Sequence, residues 1–228
     1  MRYFLKQKMA GITIPIFSGP LKGKNIGFFS GMRFIKGTYS ADEIELFTSL
    51  INPGDTVFDI GAHIGYMAML VAKLAGPDGT VYAFEPSPLN LSYLQTHVRK
   101  NHIDNIFVYP YAVSDRPGTL YFDFGRGSGR GRLVTKKINP KDQPVKVISI
   151  DNFMAAEDIK PPNLIKMDIE GAELAGLKGA ENTLRRYHPT ILLSTHSDQL
   201  KTDCLSFLAT FGYHSRDIYP NCHLIQMP

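Results

Sequence analysis

Apolar residues along this chain fall into two alternating patterns. Residues 56–60, 80–84 and 163–169 form short apolar runs with the length of buried strands. Between these runs, apolar residues recur every three or four positions, which is helical spacing. The stripe after the first run contains Ile64, Met67, Ala68, Val71 and Leu74. Strands and helices that alternate in this way predict a mainly parallel sheet covered by helices on both faces.

The same patterns extend the prediction to the rest of the chain. Further strands are expected at 106–113, 119–124, 145–150 and 190–195, with helices after Ser87, at 172–187 and around 200–211. Residues 213–218 and 223–227 are expected to close the sheet as a hairpin. The expected fold class is therefore α/β and Rossmann-like, with a mainly parallel seven-stranded sheet and a C-terminal antiparallel hairpin.

The N-terminal region has no such period. Residues 1–39 are rich in glycine, proline and short apolar groups. Ser40 and Glu43 then fit a capping box at the start of a helix. We expect residues 1–39 to form an extension that packs on the core and residues 40–228 to form one Rossmann-like domain, a division that a length of 228 residues allows.

Composition narrows the classes of protein and the compartment. The chain is 43% hydrophobic and 20% charged with a net charge of +4, and its basic residues are spread along it, which disfavours a dedicated nucleic-acid binder. The N-terminus lacks an apolar segment of signal-peptide length, and no apolar run could span a bilayer. Cys204 and Cys222 lack metal-site spacing, while a disulfide between them stays open. We expect a cytoplasmic protein without nucleic-acid or membrane partners.

Candidate chemistry follows the strand ends, because ligands of such sheets bind beyond the carboxyl ends of the strands. After the first strand, Gly61 allows a tight turn, Ala62 allows close approach of a ligand, and Gly65 allows close strand–helix packing. The acidic Asp59 suits a cationic ligand without phosphate better than it suits a dinucleotide. The alternative for this stretch is a tight turn with no ligand.

The next two strand ends fit a nucleoside. Glu85 ends the second strand, where a carboxylate can accept hydrogen bonds from a ribose diol. NAD would use the same carboxylate, so Glu85 does not choose between cofactors. Ala112 and Ser114 lie at the end of the third strand, where an adenine ring would lie. An exposed strand end and an ordinary turn are the respective alternatives.

A cluster of acids follows the strand at 163–169. Asp168 ends an apolar strand, where a carboxylate is costly to bury unless it has a partner. Glu170 and Glu173 follow it at the start of a helix, where they could simply favour the helix dipole. His196 ends the following strand at the same edge of the sheet. These residues are candidates for binding or catalysis.

The runs 53–115 and 151–196 together resemble the FkbM family of methyltransferases. The matching motifs are Pro53-Gly54-Asp55, residues 57–65, Phe84-Glu85-Pro86, Asp151-Asn152-Phe153 and residues 166–173 continuing into 177–180. The resemblance implies the class I methyltransferase fold, S-adenosylmethionine as methyl donor, and usually an oxygen of a small molecule or sugar as acceptor. It also implies that Tyr39, Pro86, Asp168 and Glu170 lie near the cofactor. Ser40 and Ser194 stand where the family often has Glu, so those contacts are not carried over.

Transfer to a hydroxyl requires removal of its proton. His196 is the candidate base, with Asp168 as the alternative base or as the residue that orients it. A divalent ion held by Asp168, Glu170 and His196 is an alternative that we do not predict. The rival functions are an NAD-dependent oxidoreductase and a non-catalytic cofactor-binding protein of the same fold.

The acceptor itself is open, and so is the oligomeric state. The segment 125–132 contains Arg126, Arg130 and Arg132 among glycines. One hypothesis is that it forms a lid that contacts an anionic acceptor such as a phosphorylated sugar. The alternative is a solvated connector between two strands.

Overall fold

The computed structural model describes residues 9–39, 41–123 and 131–228. After a short 3-10 turn at Met9–Gly11, the strands are β1 (Thr13–Pro15), β2 (Asn25–Gly27), β3 (Thr56–Ile60), β4 (Thr80–Phe84), β5 (Ile106–Tyr109), β6 (Ala112–Val113), β7 (Gly118–Asp123), β8 (Arg132–Val134), β9 (Gln143–Ile148), β10 (Leu164–Met167), β11 (Thr190–Ser194), β12 (His214–Tyr219) and β13 (Cys222–Gln226). The helices are α1 (Met32–Lys36), α2 (Ala41–Leu50), α3 (Tyr66–Ala75), α4 (Pro88–Lys100), α5 (Ile150–Ala156), α6 (Glu173–Lys178), α7 (Glu181–Tyr187) and α8 (Asp198–Ala209).

A seven-stranded sheet with the order β12-β13-β11-β10-β3-β4-β5 forms the centre of the molecule. Strands β11, β10, β3, β4 and β5 are parallel, whereas the β12–β13 hairpin pairs antiparallel with β11. This confirms the predicted α/β class and the C-terminal hairpin. From β3 the chain proceeds to β4 on one side and later to β10 on the other. A crevice opens at such a switch point.

Alternate residues of the central strands supply the core on both faces of this sheet. Every residue of β3 is buried. Val57 packs into an apolar cluster with α3 and α4 on one face, while Phe58 and Ile60 pack with Phe84 and Leu177 on the other. This explains why most positions of these strands are apolar rather than every second position.

The predicted third strand at 106–113 is wrong in its extent. It is interrupted at Pro110, which lacks the backbone N–H that would continue the ladder. Strand β5 ends in the central sheet, and β6 pairs instead with β9 in a separate four-stranded sheet with the order β6-β9-β7-β8. The residues after Tyr109 therefore turn away from the main sheet.

Two further boundaries differ from the prediction. The strand predicted at 145–150 ends at Ile148, because the Ser149 hydroxyl accepts a hydrogen bond from the Asn152 N–H and begins helix α5. The helix predicted at 172–187 is divided into α6 and α7 at Gly179. The Asp151 carboxylate accepts hydrogen bonds from backbone N–H groups at the start of α7 and so favours a second helix there.

The N-terminal extension lies against α4. Strands β1 and β2 pair antiparallel, the Gly27 N–H donates to His97 Nε2 over 2.8 Å, and Asn25 exchanges hydrogen bonds with Asn101. Ser40 lies outside the described residues, so its predicted cap is not tested, and the division at residue 39 stays a prediction. In the part of the chain that the structure describes, no helix is long and apolar enough to cross a membrane.

Candidate active site

A cavity of about 270 Å³ opens at the switch point between β3, β4 and β10. Its floor contains the turn from Gly61 to His63 after β3 and Glu85 after β4. Asp168, after β10, lines one side, and aromatic residues from the N-terminal region line another. The cavity is therefore where a Rossmann-like sheet is expected to bind its ligand.

The turn after β3 depends on glycine. Gly61 has a φ of 84°, and a Cβ at this position would lie 2.0 Å from the backbone oxygen of Asp168. The N–H groups of Gly61 and Ala62 both donate to the Phe84 carbonyl oxygen over 3.0 Å. Backbone of three adjacent strands thus meets at this point, and no side chain fits between them.

Glu85 is buried in the cavity wall, with 4% of its surface exposed. Its two oxygens accept hydrogen bonds from the backbone N–H groups of His63 and Ser87, both over 2.8 Å, and from the Asn90 side chain. Burial raises the pKa of Glu85 to about 7, although these hydrogen bonds act in the opposite direction. This carboxyl group is close to its midpoint of ionisation at neutral pH.

The negative charge of Asp59 is neutralised by the ammonium group of Lys166 on the neighbouring strand β10. The two strands pair in a register that places Lys166 beside Asp59, and Lys166 Nζ lies 2.9 Å from Asp59 Oδ1. The ammonium group also donates to the Gly61 carbonyl oxygen over 2.8 Å. Although burial alone would lower it, the Asp59 and Asp168 carboxylates hold the pKa of Lys166 above its usual value. Lys166 lines the cavity, and Asp59 lies behind it.

His196 is surrounded by three carboxylates. Its Nδ1 lies 3.1 Å from Glu173 Oε1, and its Nε2 lies 3.4 Å from Asp168 Oδ1 and 3.5 Å from Glu170 Oε2. The Glu173 side chain is fully buried at the start of α6, where it also accepts backbone N–H groups of Ile169 and Gly171. The cluster is therefore held by backbone as well as by charge.

These contacts set the protonation state of the imidazole. The hydrogen bond to Glu173 and the three carboxylate charges raise the pKa of His196 to about 9, despite partial burial. At neutral pH both ring nitrogens then carry protons, so the ring cannot accept another. A ring protonated in this way leaves Asp168, the alternative base, as the candidate for proton removal.

The same cluster offers ligand atoms for a cation. Asp168, Glu173 and His196 each contribute one atom, and these atoms lie within 4.8 Å of one another. The divalent-ion site that the sequence offered as an alternative consisted of Asp168, Glu170 and His196, so it had Glu170 where the structure places Glu173. A divalent ion could bind here only if His196 gave up its proton.

An aromatic wall faces the cavity from the N-terminal side. The rings of Phe34 and Tyr39 stack with centroids 4.2 Å apart, and Tyr66 packs edge-on to Tyr39. Aromatic faces attract cations. Tyr66 Oη and His63 Nε2 are buried at this wall without a hydrogen-bond partner among the described residues. Such groups suggest a polar ligand.

The sequence profile of the methyltransferase FkbM domain matches residues 59–215, more than two thirds of the chain. The chain belongs to this family. The match begins at the strand end that carries Asp59 and includes Glu85, Asp168 and His196. It confirms the resemblance identified from the motifs.

Named methyltransferases are among the relatives. The chain is 29% identical to the hexuronic acid methyltransferase AglP of Haloferax volcanii over 63% of this chain and 57% of that protein. It is 30% identical to the 31-O-demethyl-FK506 methyltransferase FkbM of Streptomyces tacrolimicus over 58% of this chain and 62% of that protein. The chain thus spans about three fifths of the length of these two relatives.

Solved structures confirm the fold class. The methyltransferase FkbM of Methylobacillus flagellatus KT superposes with a TM-score of 0.57 at 18% identity, covering 98% of this chain and 59% of that one. A putative rRNA methylase of Clostridium thermocellum superposes with a TM-score of 0.51 at 11% identity, covering 82% of this chain and 94% of that one. The fold is therefore the class I methyltransferase fold.

Most of the site residues predicted for this FkbM domain line the cavity. They are Tyr39, Gly61, Ala62, Glu85, Pro86, Ala112, Asp168 and Glu170. Asp59, Gly65, Ser114 and His196 do not line it. A Cβ at Gly65 would lie 2.3 Å from Leu94, so this glycine serves helix packing. The Ser114 hydroxyl hydrogen-bonds to Asp115 instead. Their predicted roles towards the cofactor stay predictions.

Sequence reasoning assigned no role to Phe34, His63, Tyr66 and Lys166, which also line the cavity. The sequence could have pointed to Lys166, because a lysine between Ile165 and Met167 is unusual in a buried strand and indicates a charged partner. Its partner could be found only from the strand register. The aromatic residues gave no signal, because their contacts cross between the extension and the core.

The predicted lid lies largely outside the described residues, which resume at Gly131. Of its three arginines, Arg132 is described. Its side chain is 62% exposed, lies 3.7 Å from Asp123 and lines the cavity. The hypothesis that Arg126 and Arg130 contact an anionic acceptor is therefore not tested.

Proposed function

We propose that this protein transfers a methyl group from S-adenosylmethionine to a hydroxyl oxygen of a small molecule or sugar. The observation that carries the proposal is that one cavity presents both the buried Glu85 carboxylate and the accessible Asp168 carboxylate. The first suits a nucleoside and the second suits a reacting hydroxyl. Membership of the FkbM family and the named O-methyltransferase relatives support this assignment.

The residues present fit this cofactor. The Glu85 carboxylate would accept hydrogen bonds from the ribose hydroxyls, and the Gly61–Ala62 backbone allows the nucleoside to approach. Ala112 offers an apolar contact for adenine. The rings of Phe34, Tyr39 and Tyr66 suit a sulfonium cation. Lys166 offers a positive charge for a carboxylate.

The chain's own groups would then handle the proton. S-adenosylmethionine supplies a methyl group on a positively charged sulfur, which makes that carbon electrophilic. As the acceptor oxygen forms its bond to carbon, it becomes strongly acidic, so the Asp168 carboxylate is basic enough to accept its proton. His196 positions Asp168 through Nε2, and Glu173 positions His196 through Nδ1.

The expected acceptor is a hydroxyl compound that carries negative charge, since the exposed Arg132 side chain lines the cavity. One relative is named for a hexuronic acid, which is a sugar with a carboxylate. Cytoplasmic location remains our expectation. Free, buried Cys204 and Cys222 are compatible with a reducing compartment.

Two measurements test the proposal. Calorimetry should detect binding of S-adenosylhomocysteine and none of NAD. Transfer of labelled methyl groups should then be measured on paired acceptors, for example glucuronic acid derivatives and the matching neutral glucosides. Binding of NAD alone would indicate an oxidoreductase. Binding of S-adenosylhomocysteine without methylation of any acceptor would indicate a non-catalytic protein.

A further inference from the structure

Exposed apolar side chains concentrate in the N-terminal extension. Among the described residues, nine large apolar side chains are exposed, and five of them lie between positions 12 and 32. These five, which we call the apolar patch, are Ile12, Phe17, Phe28, Phe29 and Met32, with exposures of 40–61%. Single exposed apolar residues are normal on protein surfaces, but clustering of this kind indicates an interaction surface.

Backbone contacts hold the members of the patch together. The register of β1 with β2 places Ile12 opposite Phe28, and the Phe28 N–H donates to the Ile12 oxygen over 2.9 Å. Opposite residues of an antiparallel pair project on the same face. The rings of Phe28 and Phe29 lie 5.0 Å apart, edge to face. The Phe17 N–H bonds to Ile35 in α1, the helix that Met32 begins.

The same segment carries positive charge without compensation. Residues 9–39, which the structure describes, contain four lysines and arginines and no aspartate or glutamate, so their formal charge is +4. The whole chain also has a charge of +4, so the remaining residues together are neutral. Lys22, Arg33 and Lys36 are exposed beside the apolar patch in the sequence. Apolar and cationic groups are thus interleaved in one short stretch.

We propose that the N-terminal extension docks this protein on the surface of an anionic lipid bilayer. Phenylalanine, isoleucine and methionine side chains have no hydrogen-bonding group of consequence and suit the boundary between headgroups and acyl chains. Lysine and arginine suit the headgroup phosphates. A nucleic acid would match the charge but would leave Ile12 and Met32 without an apolar environment.

The patch adjoins the cavity. Helix α1 carries Met32 in the patch and Phe34 in the cavity wall. Docking would therefore place this wall of the cavity beside lipid headgroups. If the proposed function holds, on which this step alone rests, the acceptor hydroxyl belongs to an amphiphilic molecule presented at that surface. The inference departs from the sequence-based expectation of no membrane contact, which rested on the lack of a long apolar run.

Sedimentation of the full chain with vesicles tests the docking. The protein should co-sediment with vesicles of phosphatidylcholine mixed with phosphatidylglycerol, and it should not co-sediment with vesicles of phosphatidylcholine alone. Added salt should release the protein from the anionic vesicles. One basic side chain near such a surface contributes about fivefold to affinity. The triple change Lys22→Gln, Arg33→Gln and Lys36→Gln should therefore weaken binding about 100-fold.

A second variant tests the apolar part, and a third controls for general surface chemistry. Changing Phe17, Phe28 and Met32 to Ser should abolish sedimentation even at low salt. The matched control changes Ile138, which is 60% exposed, to Ser, together with Lys136→Gln and Lys137→Gln. This control should sediment like the unchanged protein. An unaltered melting temperature would show that each variant is folded.

Three results would overturn the docking proposal. The protein could fail to distinguish anionic from neutral vesicles, the patch variants could sediment as well as the control, or single-stranded RNA could bind more tightly and displace the vesicles. The last result would identify the extension as a nucleic-acid surface. None of these measurements involves methyl transfer, so the docking proposal and the proposed function can fail separately.

Discussion

One carboxylate follows β4 and another follows β10, and both line the same cavity. Their surroundings differ in burial and in charge. Glu85, after β4, is buried among neutral donors, and burial raises its pKa to about 7. Asp168, after β10, is 42% exposed and belongs to a cluster in which His196 supplies a positive charge. Glu85 is held in place by backbone and amide donors, whereas Asp168 lies beside an imidazole ring. We infer that the first recognises and the second reacts.

The largest expected effect comes from the reacting end. Replacing Asp168 by Asn should lower kcat by about 10²- to 10⁴-fold, because an amide cannot accept the hydroxyl proton. Affinity for S-adenosylhomocysteine should stay within about threefold, since the fold and Glu85 are unchanged. Glu170→Gln is the matched control at the same cavity and should lose much less activity. If kcat fell equally in both variants, Asp168 would not be the residue that removes the proton.

A smaller effect, on binding, is expected at the recognising end. Replacing Glu85 by Gln should weaken S-adenosylhomocysteine binding by about 10- to 100-fold, the range for one lost hydrogen bond to a charged group. Calorimetry measures this directly, with Glu157→Gln as an exposed control. If binding were unchanged, the cofactor would not contact Glu85 and the comparison between the two ends would collapse.

The pH dependence of binding should follow Glu85. Ribose hydroxyls donate to the ionised carboxylate, and burial raises the pKa of Glu85 to about 7. Affinity should therefore fall as pH decreases through 7, by about tenfold between pH 8 and pH 6. In Glu85→Gln the affinity should not vary over this range. A profile that rises towards acid would require a different titrating group.

The smallest effect concerns His196. Its neighbours raise the pKa of His196 to about 9. Its contribution to stability should thus be present in full below the ordinary histidine pKa near 6.5 and be lost as pH rises through 9. Nuclear magnetic resonance should show that both ring nitrogens of His196 carry protons at pH 8. The change Glu173→Gln should lower the pKa of His196. Activity should decline modestly above pH 9, whereas a histidine base would give activity that rises to a plateau.

Much of this comparison could be predicted from the sequence, for a physical reason. Apolar runs of strand length end at Glu85 and Asp168, and parallel strands place their carboxyl ends at one edge. The alternation of strands and helices from β3 onward, the closing hairpin and the cavity residues Gly61, Ala62, Glu85, Ala112, Asp168 and Glu170 follow from that rule, whereas Tyr39 and Pro86 were expected from the resemblance to the FkbM family. Its exceptions are local: Pro110 ends a strand early, and Gly179 divides a helix.

Protonation and long-range contacts could not be predicted in this way. A carboxylate at Asp59 suits a cation, but only the register shows that Lys166 already occupies it. Likewise, His196 is a plausible base until three carboxylates are seen around it. The aromatic wall joins Phe34 to Tyr66 across 32 positions, and the sequence period carries no information about such contacts.

The contact between Gly61 and the backbone of Asp168 has a practical consequence for protein engineering. Because the Gly61 backbone lies directly against the Asp168 backbone, a side chain added at position 61 would force the two segments apart. Libraries that seek new acceptors should therefore leave this junction untouched and vary the mouth of the pocket around Arg132 and Leu133. A variant with Gly61 replaced by a residue that has a side chain is expected to lose both cofactor affinity and turnover.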